Sequence, residues 1–586
     1  MQTYRAPIQD IRFILENFGY ETIAGYDCFE DFDLETAVAV AEEAGKFCTE
    51  KLLPTNQIAD QQGVQYDPET KQVQVPESFY QLYKDYYASG IGGISLPEEY
   101  GGGGAPHALA IAFSEMGTAT NKSFCMCPGL AHGLVASLLE FGTEEQKNHF
   151  VPKLISGQWA GTMCLTEPQC GTDLGMMRTK AIPEGDHYRL TGTKIWITFG
   201  EHDLAENIIH LVLARLPGAP EGIKGISVFV VPKFTDDGEA NGITCGGLEH
   251  KMGIHASPTC VMNMEDSIGY LVGEPHKGMR AMFVMMNFAR ITVGMEGVAL
   301  SEISYQTALA FSKERRQGRS LNPERNEPGE SADNIMVHPD VRRLLLNVKS
   351  TTEGMRALGF WVASHIDVSE HAETEAERQE ADDIVALLTP VIKSYFTERG
   401  FQNVSDCVQV MGGSGYTSDW CVEQYLRDMR IGMIYEGTNH IQSLDLVGRK
   451  LPKDGGRLYK LFAKKIFRFV RDNQEVEGMN EFTKPLEKAL NKLNETTMMM
   501  GMKGMQDPEW VASVSSNYLN AMSLTALGYM WARMAKASLG GESRFLRSKL
   551  KTARYFFSNI LPEVDSIYSI MEAGKDNMMD FELNEF

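Results

Sequence analysis

The chain has 586 residues, of which 43% are hydrophobic and 23% charged, as in a globular protein large enough for several packed units. Its 55 basic and 78 acidic residues give a formal charge of −23, which argues against nucleic acid as the main partner. The 10 cysteines show neither zinc spacing nor a disulfide framework, so we expect reduced thiols, no metal site and a cytoplasmic location. We find no apolar run of roughly 18 residues and expect no membrane span.

The N-terminal part is predicted to be helical. Residues 33–53 carry apolar residues near one face and predict a helix that ends before Pro54. Thr143 and Gln146 have the spacing of a capping box, which predicts the start of a helix after Thr143. Near residue 159 the sequence pattern changes and no longer predicts helices.

A β region follows, rich in β-branched and aromatic residues and divided by Gly, Pro and Asp. Within it, we expect a hairpin turn at Thr191 and Gly192. The runs that predict strands lie at 194–198, 207–216 and 225–234.

Helical patterns return over residues 278–450 and continue beyond a linker at 451–456 as three or four further helices. The first of these, at 457–471, is strongly amphipathic; we expect a core helix, with a membrane-surface helix as the alternative. Residues 497–505 are expected to be a flexible connection. The order helical, β, helical and again helical predicts an α+β architecture.

One carboxylate stands in an unusual setting. In IYEGTNHIQ, Glu436 follows an apolar Ile-Tyr pair and precedes Gly437. This setting suits a general base kept partly out of water, with backbone free to approach a ligand. A glutamate near a helix start, with Thr438 as the N-cap, is an equally good interpretation of this stretch alone.

Residues 163–175, which open the β region, combine small residues with hydroxyls. Thr166 and Thr172 can donate hydrogen bonds to a flat heteroaromatic ring or to an amide. Trp196 and Thr198, two positions apart on a predicted strand, share one face, where the indole can stack on a ring. A polar loop and a buried core tryptophan are the structural alternatives.

Two segments suit an anionic ligand. Arg315 and Arg316 stand at a predicted helix end and can hold a pyrophosphate, although a solvated basic helix end explains these residues better when they are taken alone. The glycine turn of QVMGGSGYT at 409–417 offers backbone amides to a phosphate. It has neither the spacing of a dinucleotide fingerprint nor the Lys-Ser/Thr of a P-loop.

Together, these segments resemble the acyl-CoA dehydrogenase family over residues 35–450. The resemblance rests on TEPQCGTD, KIWIT, HKMGIHASPT, the ERR helix end, QVMGGSGY and IYEGTNHIQ. It implies a helical domain, a middle β domain and a four-helix bundle, with FAD bound between domains and across a homodimer interface. The expected parts are an arm at 1–35, the helical domain at 36–158, the β domain at 159–275, the bundle at 276–450 and an extra helical domain at 451–586.

The resemblance also implies the site residues. Glu436 is the expected catalytic base, since Ala289 occupies the position that carries the base in some relatives. The expected acyl-CoA contacts are Thr172, Asn287, Arg290 and Gly437. The expected FAD contacts are Met163, Leu165, Thr166, Thr172, Trp196, Ile197, Thr198, Arg315, Gln317, Gln409, Gly412, Gly413, Thr438 and His440. Gly318 replaces the aromatic residue that usually follows the ERR-type motif.

The implied reaction is α,β-dehydrogenation of an acyl-CoA, with electron-transfer flavoprotein as the acceptor. The segments MQTYRAPIQDIRFIL and IYEGTNHIQSLDLVGRK resemble extended family members that convert 3-methylmercaptopropionyl-CoA to methylthioacryloyl-CoA in dimethylsulfoniopropionate degradation. Extended dehydrogenases of medium or long straight-chain acyl-CoA share both segments. Two competing hypotheses are a flavin oxidase or monooxygenase on the same scaffold, and a catalytically silent binding or assembly protein.

Overall fold

Helices and strands are segregated along the chain, which confirms the α+β prediction. The computed structural model describes residues 2–586. The helices are α1 (Ile8–Asn17), α2 (Tyr20–Ala24), α3 (Leu34–Phe47), α4 (Leu53–Gln62), α5 (Ser78–Ala88), α6 (His107–Phe141), α7 (Glu144–Ile155), α8 (Gly278–Glu314), α9 (Pro339–His371), α10 (Glu375–Met411), α11 (Gly413–Tyr416), α12 (Val422–Arg430), α13 (Asn439–Asp445), α14 (Arg457–Asn473), α15 (Asn480–Gly504), α16 (Pro508–Ser538), α17 (Arg544–Tyr555), α18 (Glu563–Ala573) and α19 (Asp576–Met579). The strands are β1 (Gln65–Asp67), β2 (Gln72–Gln74), β3 (Trp159–Cys164), β4 (Lys180–Glu184), β5 (His187–Thr198), β6 (Asn207–Arg215), β7 (Ile226–Pro232), β8 (Ile243–Leu248) and β9 (Thr259–Leu271).

The chain forms two compact units that do not follow chain order. One contains the residues up to Glu42, a short piece at Pro106–Glu115, and Arg290–Phe586. The other contains Glu43–Ala105 and Met116–Ala289, and therefore all the strands. The domain boundaries expected from the sequence stay predictions.

The strands of the second unit form a seven-stranded sheet in the order β3-β6-β4-β5-β9-β7, with β8 paired to β9. Because β7 also pairs with β6, this path closes on itself and protects most strand edges. Buried apolar side chains such as Val212, Phe229 and Met262 fill one face of the sheet, while the other packs on α6, α7 and the start of α8. The predicted strand runs at 207–216 and 225–234 are confirmed.

The predicted hairpin turn at Thr191 and Gly192 is wrong. β5 runs through both residues, with a register shift between Leu190 and Gly192. The turn lies instead at Gly185, whose φ of +65° suits glycine. A Cβ at Gly192 would lie 2.4 Å from the Thr179 hydroxyl, so close packing rather than a turn explains this glycine.

The helix predicted over 33–53 continues further than expected. α3 passes through a π-helical turn at Cys48–Leu52 into α4, which ends at Gln62. Pro54 lies in the first turn of α4, where a missing backbone N–H costs little. The capping box of Thr143 and Gln146 is confirmed by both of its hydrogen bonds.

The C-terminal extension has more helices than predicted. It contains α14 to α18 and the short α19, and the segment 497–505 lies largely within α15 rather than in a flexible connection. Methionine and lysine are good helix formers, which explains the error. In α14, Leu458, Phe462 and Ile466 are buried, so this helix packs as a core helix, as predicted.

Two helices, α6 and α8, are long and apolar enough by length and composition to cross a membrane. In their most apolar windows, 50% and 61% of the residues are buried inside the structure. Long core helices of water-soluble proteins also have this length and composition.

A buried ionic cluster around Arg356 joins distant parts of the first unit. The Arg356 guanidinium on α9 is 1% exposed. It donates to both Glu115 oxygens, to Asp10 Oδ2 at 2.6 Å and to Glu302 Oε2 at 2.7 Å. Its planar fork therefore connects α1, α6, α8 and α9 through desolvated, charge-assisted hydrogen bonds.

The extension contributes a second cation to this cluster. Lys549 of α17, 2% exposed, donates to Asp10 and, at 2.8 Å, to Glu353 Oε2. Burial alone would raise the pKa of Asp10, but the charges of Lys549 and Arg356 overcome it and lower this pKa to about 2. The arm and the extension are thus both fixed to the helical bundle by compensated buried charges.

Arg356→Met should destabilise the protein by about 3–5 kcal/mol, because it leaves carboxylates buried without their main cation. Arg343→Met on the same helix removes an exposed pair with Asp340 and should cost less than about 1 kcal/mol. The midpoints of urea unfolding of the two purified variants measure the difference. Equal midpoints would contradict a structural role for the cluster.

Candidate active site

The segment that contains Glu436 is strained. Glu436 has φ of +54° and Gly437 has φ of +82°, both in the left-handed region. A left-handed non-glycine residue costs of order 1–3 kcal/mol and persists where its surroundings fix it. Thr438, the next residue, accepts the Ile441 N–H at 3.3 Å and caps α13, as the simpler interpretation of this stretch predicted.

Two side chains hold this strained segment through its backbone carbonyls. Gln442 Nε2 donates to the Glu436 carbonyl at 3.0 Å, and Lys393 Nζ of α10 donates to the Gly437 carbonyl at 2.6 Å. Within residues 2–586, neither the Glu436 N–H nor its carboxylate has a hydrogen-bond partner. The segment therefore keeps one donor and one carboxylate available for a ligand.

The Glu436 carboxyl group titrates near neutrality. Burial raises its pKa, the charges of Arg290 and Lys393 oppose the increase, and Glu296 adds to it; the resulting pKa is about 7. Glu296 accepts a hydrogen bond from the Tyr435 hydroxyl at 2.5 Å. A carboxylate with this pKa is suited to remove a proton at physiological pH.

Arg290 and Asn287 lie on α8, three residues apart. Arg290 is 6% exposed, and its Nη1 lies 3.6 Å from Asp445 Oδ2. Its Nε is buried and has no partner in the described part of the chain, so one guanidinium donor is available. The Asn287 side chain is exposed.

In the second unit, Trp196 presents an exposed aromatic surface. It is 55% exposed and has φ of +63°, at a register shift between Lys194 and Ile197 of β5. Ile197 is buried and Thr198 is half-buried. Trp196 is therefore not the buried core residue considered as the alternative, and its indole is free to stack on a ring.

The loop after β3 is fixed by a buried ion pair. Lys194 Nζ donates to Glu167 Oε1 and to the Leu165 carbonyl, both at 2.9 Å. Burial would raise the pKa of Glu167, but Lys194 and the surrounding hydrogen bonds lower it to about 2. Leu165 and Thr166 are half-buried and Thr172 is exposed, so the anchored loop presents backbone and hydroxyl groups at its surface.

Met163 of β3 is half-buried beside this loop. In the loop, Asp173 accepts the Gly175 N–H at 3.0 Å, which forms an Asx-turn. The adjacent Thr172 is exposed.

Further candidate residues lie at the surface of the first unit. Arg315 is exposed and its side chain has no partner within residues 2–586, whereas Arg316 pairs with Glu327. A Cβ at Gly412 or Gly413 would meet open space. Arg315 and the glycine turn thus offer separate groups for an anionic ligand.

The remaining expected contacts differ in their surroundings. Gln317 and Gln409 are exposed. His440 is exposed too, and its Nδ1 lies 3.4 Å from the Ser516 hydroxyl of α16. Among residues 2–586, no group of His, Cys, Asp and Glu side chains is arranged to hold a metal ion.

Sequence reasoning missed Lys393, Gln442 and the Glu167–Lys194 pair. A signal for Lys393 exists, because this lysine interrupts the apolar run LLTPVIKSYF inside α10. A charged residue in such a run is either paired or functional. Gln442 and the ion pair have no comparable signal.

The comparisons with known proteins agree along nearly the whole chain. The matching family models are acyl-CoA dehydrogenase N-terminal domain (residues 34–158), middle domain (162–267) and C-terminal domain (276–451), and acetyl-CoA dehydrogenase C-terminal like (462–582). The chain is 38% identical to the 3-methylmercaptopropionyl-CoA dehydrogenase of Ruegeria pomeroyi, over 98% of this chain and 99% of that protein. It is 32% identical to the broad-specificity linear acyl-CoA dehydrogenase FadE5 of Mycobacterium tuberculosis, over 99% of both chains.

Among solved structures, the acyl-CoA dehydrogenase of Bacillus anthracis complexed with FAD has a TM-score of 0.74 at 23% identity, covering 94% of this chain and 90% of that chain. This similarity confirms the expected fold. The family models account for the helical, β, bundle and C-terminal parts in the order expected from the sequence. The chain belongs to the acyl-CoA dehydrogenase family of FAD-dependent oxidoreductases and carries an extra C-terminal domain that matches a model of its own.

Proposed function

We propose that the protein dehydrogenates an acyl-CoA thioester with Glu436 as the base. The observation that carries this proposal is a strained, half-buried carboxylate without a hydrogen-bond partner among residues 2–586, whose pKa is about 7. The Glu436 carboxylate removes the α-proton of the acyl group and becomes the acid. The β-hydrogen leaves as a hydride with its electron pair, and an α,β double bond forms. FAD, when bound, would supply the hydride acceptor, the flavin N5.

Backbone and side-chain donors support this chemistry. In this proposal the Glu436 N–H, which has no acceptor among residues 2–586, donates to the thioester oxygen as negative charge develops there. The free Nε of Arg290 and the exposed Asn287 side chain contact the acyl-CoA in this proposal. Gly437 lets the thioester approach the backbone closely, and Thr172 is proposed to add a hydroxyl contact.

The residues present fit FAD. The exposed Trp196 indole, with Ile197 and Thr198 beside it, would stack on the ring system, and the loop residues Met163, Leu165, Thr166 and Thr172 would line it. Arg315, Gln317, Gln409, Gly412 and Gly413 would hold the pyrophosphate and adenosine, with Thr438 and His440 as further contacts. The open space at Gly412 and Gly413 and the unpaired Arg315 side chain support this assignment.

The proposed substrate is 3-methylmercaptopropionyl-CoA, which gives methylthioacryloyl-CoA in dimethylsulfoniopropionate degradation. The 38% identical relative named for this substrate, matched over 98% of the chain, supports it. The relative at 32% identity, named for linear acyl-CoA, supports a medium or long straight-chain substrate as the second candidate. Met282 and Met285 are buried in the apolar core of the second unit and give no reason to expect a thioether-lined pocket.

We further propose a cytoplasmic homodimer without a membrane span, which passes electrons to electron-transfer flavoprotein. Leu321 and Tyr416 are 92% and 83% exposed, and both belong to segments adjoining the proposed FAD contacts of the first unit. Large apolar side chains this exposed suit contact with a second copy of the chain. Excess negative charge disfavours nucleic acid as a partner.

Glu436→Gln should retain yellow, FAD-containing protein but lower the rate of flavin reduction by at least about 100-fold, because it removes the base. Glu398→Gln, an exposed change on α10, serves as the control. In the wild type, the rate should rise with pH and reach half of its maximum near pH 7, where Glu436 ionises. Anaerobic stopped-flow absorbance measures both effects; near-normal reduction in Glu436→Gln would reject the assignment.

Substrate class is tested by anaerobic flavin bleaching with a panel of thioesters. 3-Methylmercaptopropionyl-CoA should bleach the flavin fastest, ahead of butyryl-CoA, octanoyl-CoA and palmitoyl-CoA. Faster bleaching by a straight-chain member would favour the second candidate. Steady peroxide production in air with any of them would instead indicate an oxidase.

Sedimentation velocity of the FAD-loaded protein should give a dimer of the 65.3 kDa chain. Leu321→Glu combined with Tyr416→Glu should shift the protein towards monomer and reduce FAD retention, because charge is placed at the expected interface. A wild-type holoenzyme that sediments as a monomer would exclude the shared flavin site.

A further inference from the structure

We propose that Lys393 is a positioning residue for the base: its ammonium holds the strained segment at Glu436 and Gly437 through the Gly437 carbonyl and presents a positive charge to the Glu436 carboxylate. This inference rests on the proposed function of Glu436. Lys393 lies in the middle of α10, and its side chain is fully buried. A lysine is rarely buried in this way unless it is paired or functional.

The side-chain hydrogen bonds of Lys393 all go to the base segment, residues 436–439. Nζ donates to the Gly437 carbonyl at 2.6 Å and to Asn439 Oδ1 at 3.2 Å. The Asn439 side chain in turn donates to the Ser394 carbonyl at 3.1 Å, beside Lys393 on the same helix. No ion pair with a carboxylate uses Lys393 within residues 2–586, so its charge is left to act on Glu436 at longer range.

The backbone conformation at Glu436 and Gly437 depends on these contacts. With the Gly437 carbonyl held by Lys393 and the Glu436 carbonyl held by Gln442, both carbonyls are fixed. These bonds orient the two peptide planes that follow Glu436 and so help to keep its backbone in the left-handed conformation. Lys393 thus acts on the reaction through Glu436 and touches no reacting atom itself.

The charges around Glu436 come from two long helices. Arg290 and Glu296 lie on α8 and Lys393 lies on α10, while Asp445 of α13 pairs with Arg290. Burial lowers the pKa of Lys393 to about 8, against the attraction of Glu436 and Glu296. Lys393 and Arg290 both favour the ionised form of Glu436. If the charge of Lys393 is removed, Arg290 remains, and its charge is partly neutralised by Asp445. The pKa of Glu436 must then rise.

Lys393→Met is compatible with the fold because the acceptors keep other partners. The Gly437 carbonyl retains Gln442 Nε2 at 3.3 Å, and Asn439 Oδ1 retains the Thr397 hydroxyl at 3.2 Å. Methionine has a similar length and removes a buried charge without creating a large cavity. FAD absorbance and thermal melting of the purified variant check that the fold is retained.

The test compares Lys393→Met, Lys393→Arg and Gln442→Met with the wild type in single-turnover flavin reduction, from about pH 5.5 to 9, using the thioester that bleaches the wild-type flavin fastest. Lys393→Met should slow flavin reduction about 10-fold or more. It should also move the acid limb of the pH profile, the range over which the rate rises with pH, up by about one pH unit. Lys393→Arg should keep the acid limb near its wild-type position. Gln442→Met removes an uncharged donor to the same segment, so it should slow reduction without moving the limb.

A wild-type rate and limb in Lys393→Met would overturn the inference. So would an identical limb shift in Gln442→Met, because the effect would then come from loosening of the segment rather than from charge. Glu436→Gln, measured in parallel, distinguishes failure of the proposed role of Glu436 from failure of the proposed role of Lys393. If that variant reduces the flavin normally, the proposed base is wrong; if it is inactive while Lys393→Met behaves as wild type, only the role of Lys393 is wrong.

Discussion

The bidentate contact between Arg356 and Glu115 is the interaction on which the helical unit depends. An isolated buried guanidinium or carboxylate is prohibitively unfavourable, so each of these groups requires the other, together with Asp10 and Glu302. Hydrophobic packing lets helices slide, whereas a planar fork with directional hydrogen bonds does not. The cluster therefore fixes α8, α9 and the N-terminal arm in one register, and α8 carries Arg290 while α9 leads into α10.

The base segment is also held by a buried cation, with fewer partners than Arg356 has. A buried cation, Lys393, is bound to the Gly437 carbonyl and the Asn439 side chain, beside the left-handed Glu436. The second unit repeats this arrangement with Lys194, which holds Glu167 and the Leu165 carbonyl. In both places a fully buried lysine makes a loop rigid beside an available functional group, which is how a site is preorganised before any ligand arrives.

Local chemistry determined what the sequence could predict. The Thr143 capping box, the buried strands and the cap at Thr438 depend on neighbouring residues and were recognisable. Gly192 was misread because its reason is a contact with Thr179, which local turn preferences do not contain. The ion pairs are more remote still: Arg356 and Asp10 are separated by 346 positions, and no periodicity indicates that they meet. The motif around Glu436 predicts a base. The hydrogen bond from Lys393 to the Gly437 carbonyl, 44 positions away, depends on the fold.

The contact between Lys549 and Asp10 joins two residues that are 539 positions apart in the chain. During synthesis, Asp10 emerges long before Lys549, so the cluster lacks its second cation until α17 has been made. The strand-containing unit, complete once Ala289 has emerged, has no such delay. Folding of the nascent polypeptide is therefore ordered, and α17 completes the buried ionic cluster of the unit that carries Glu436.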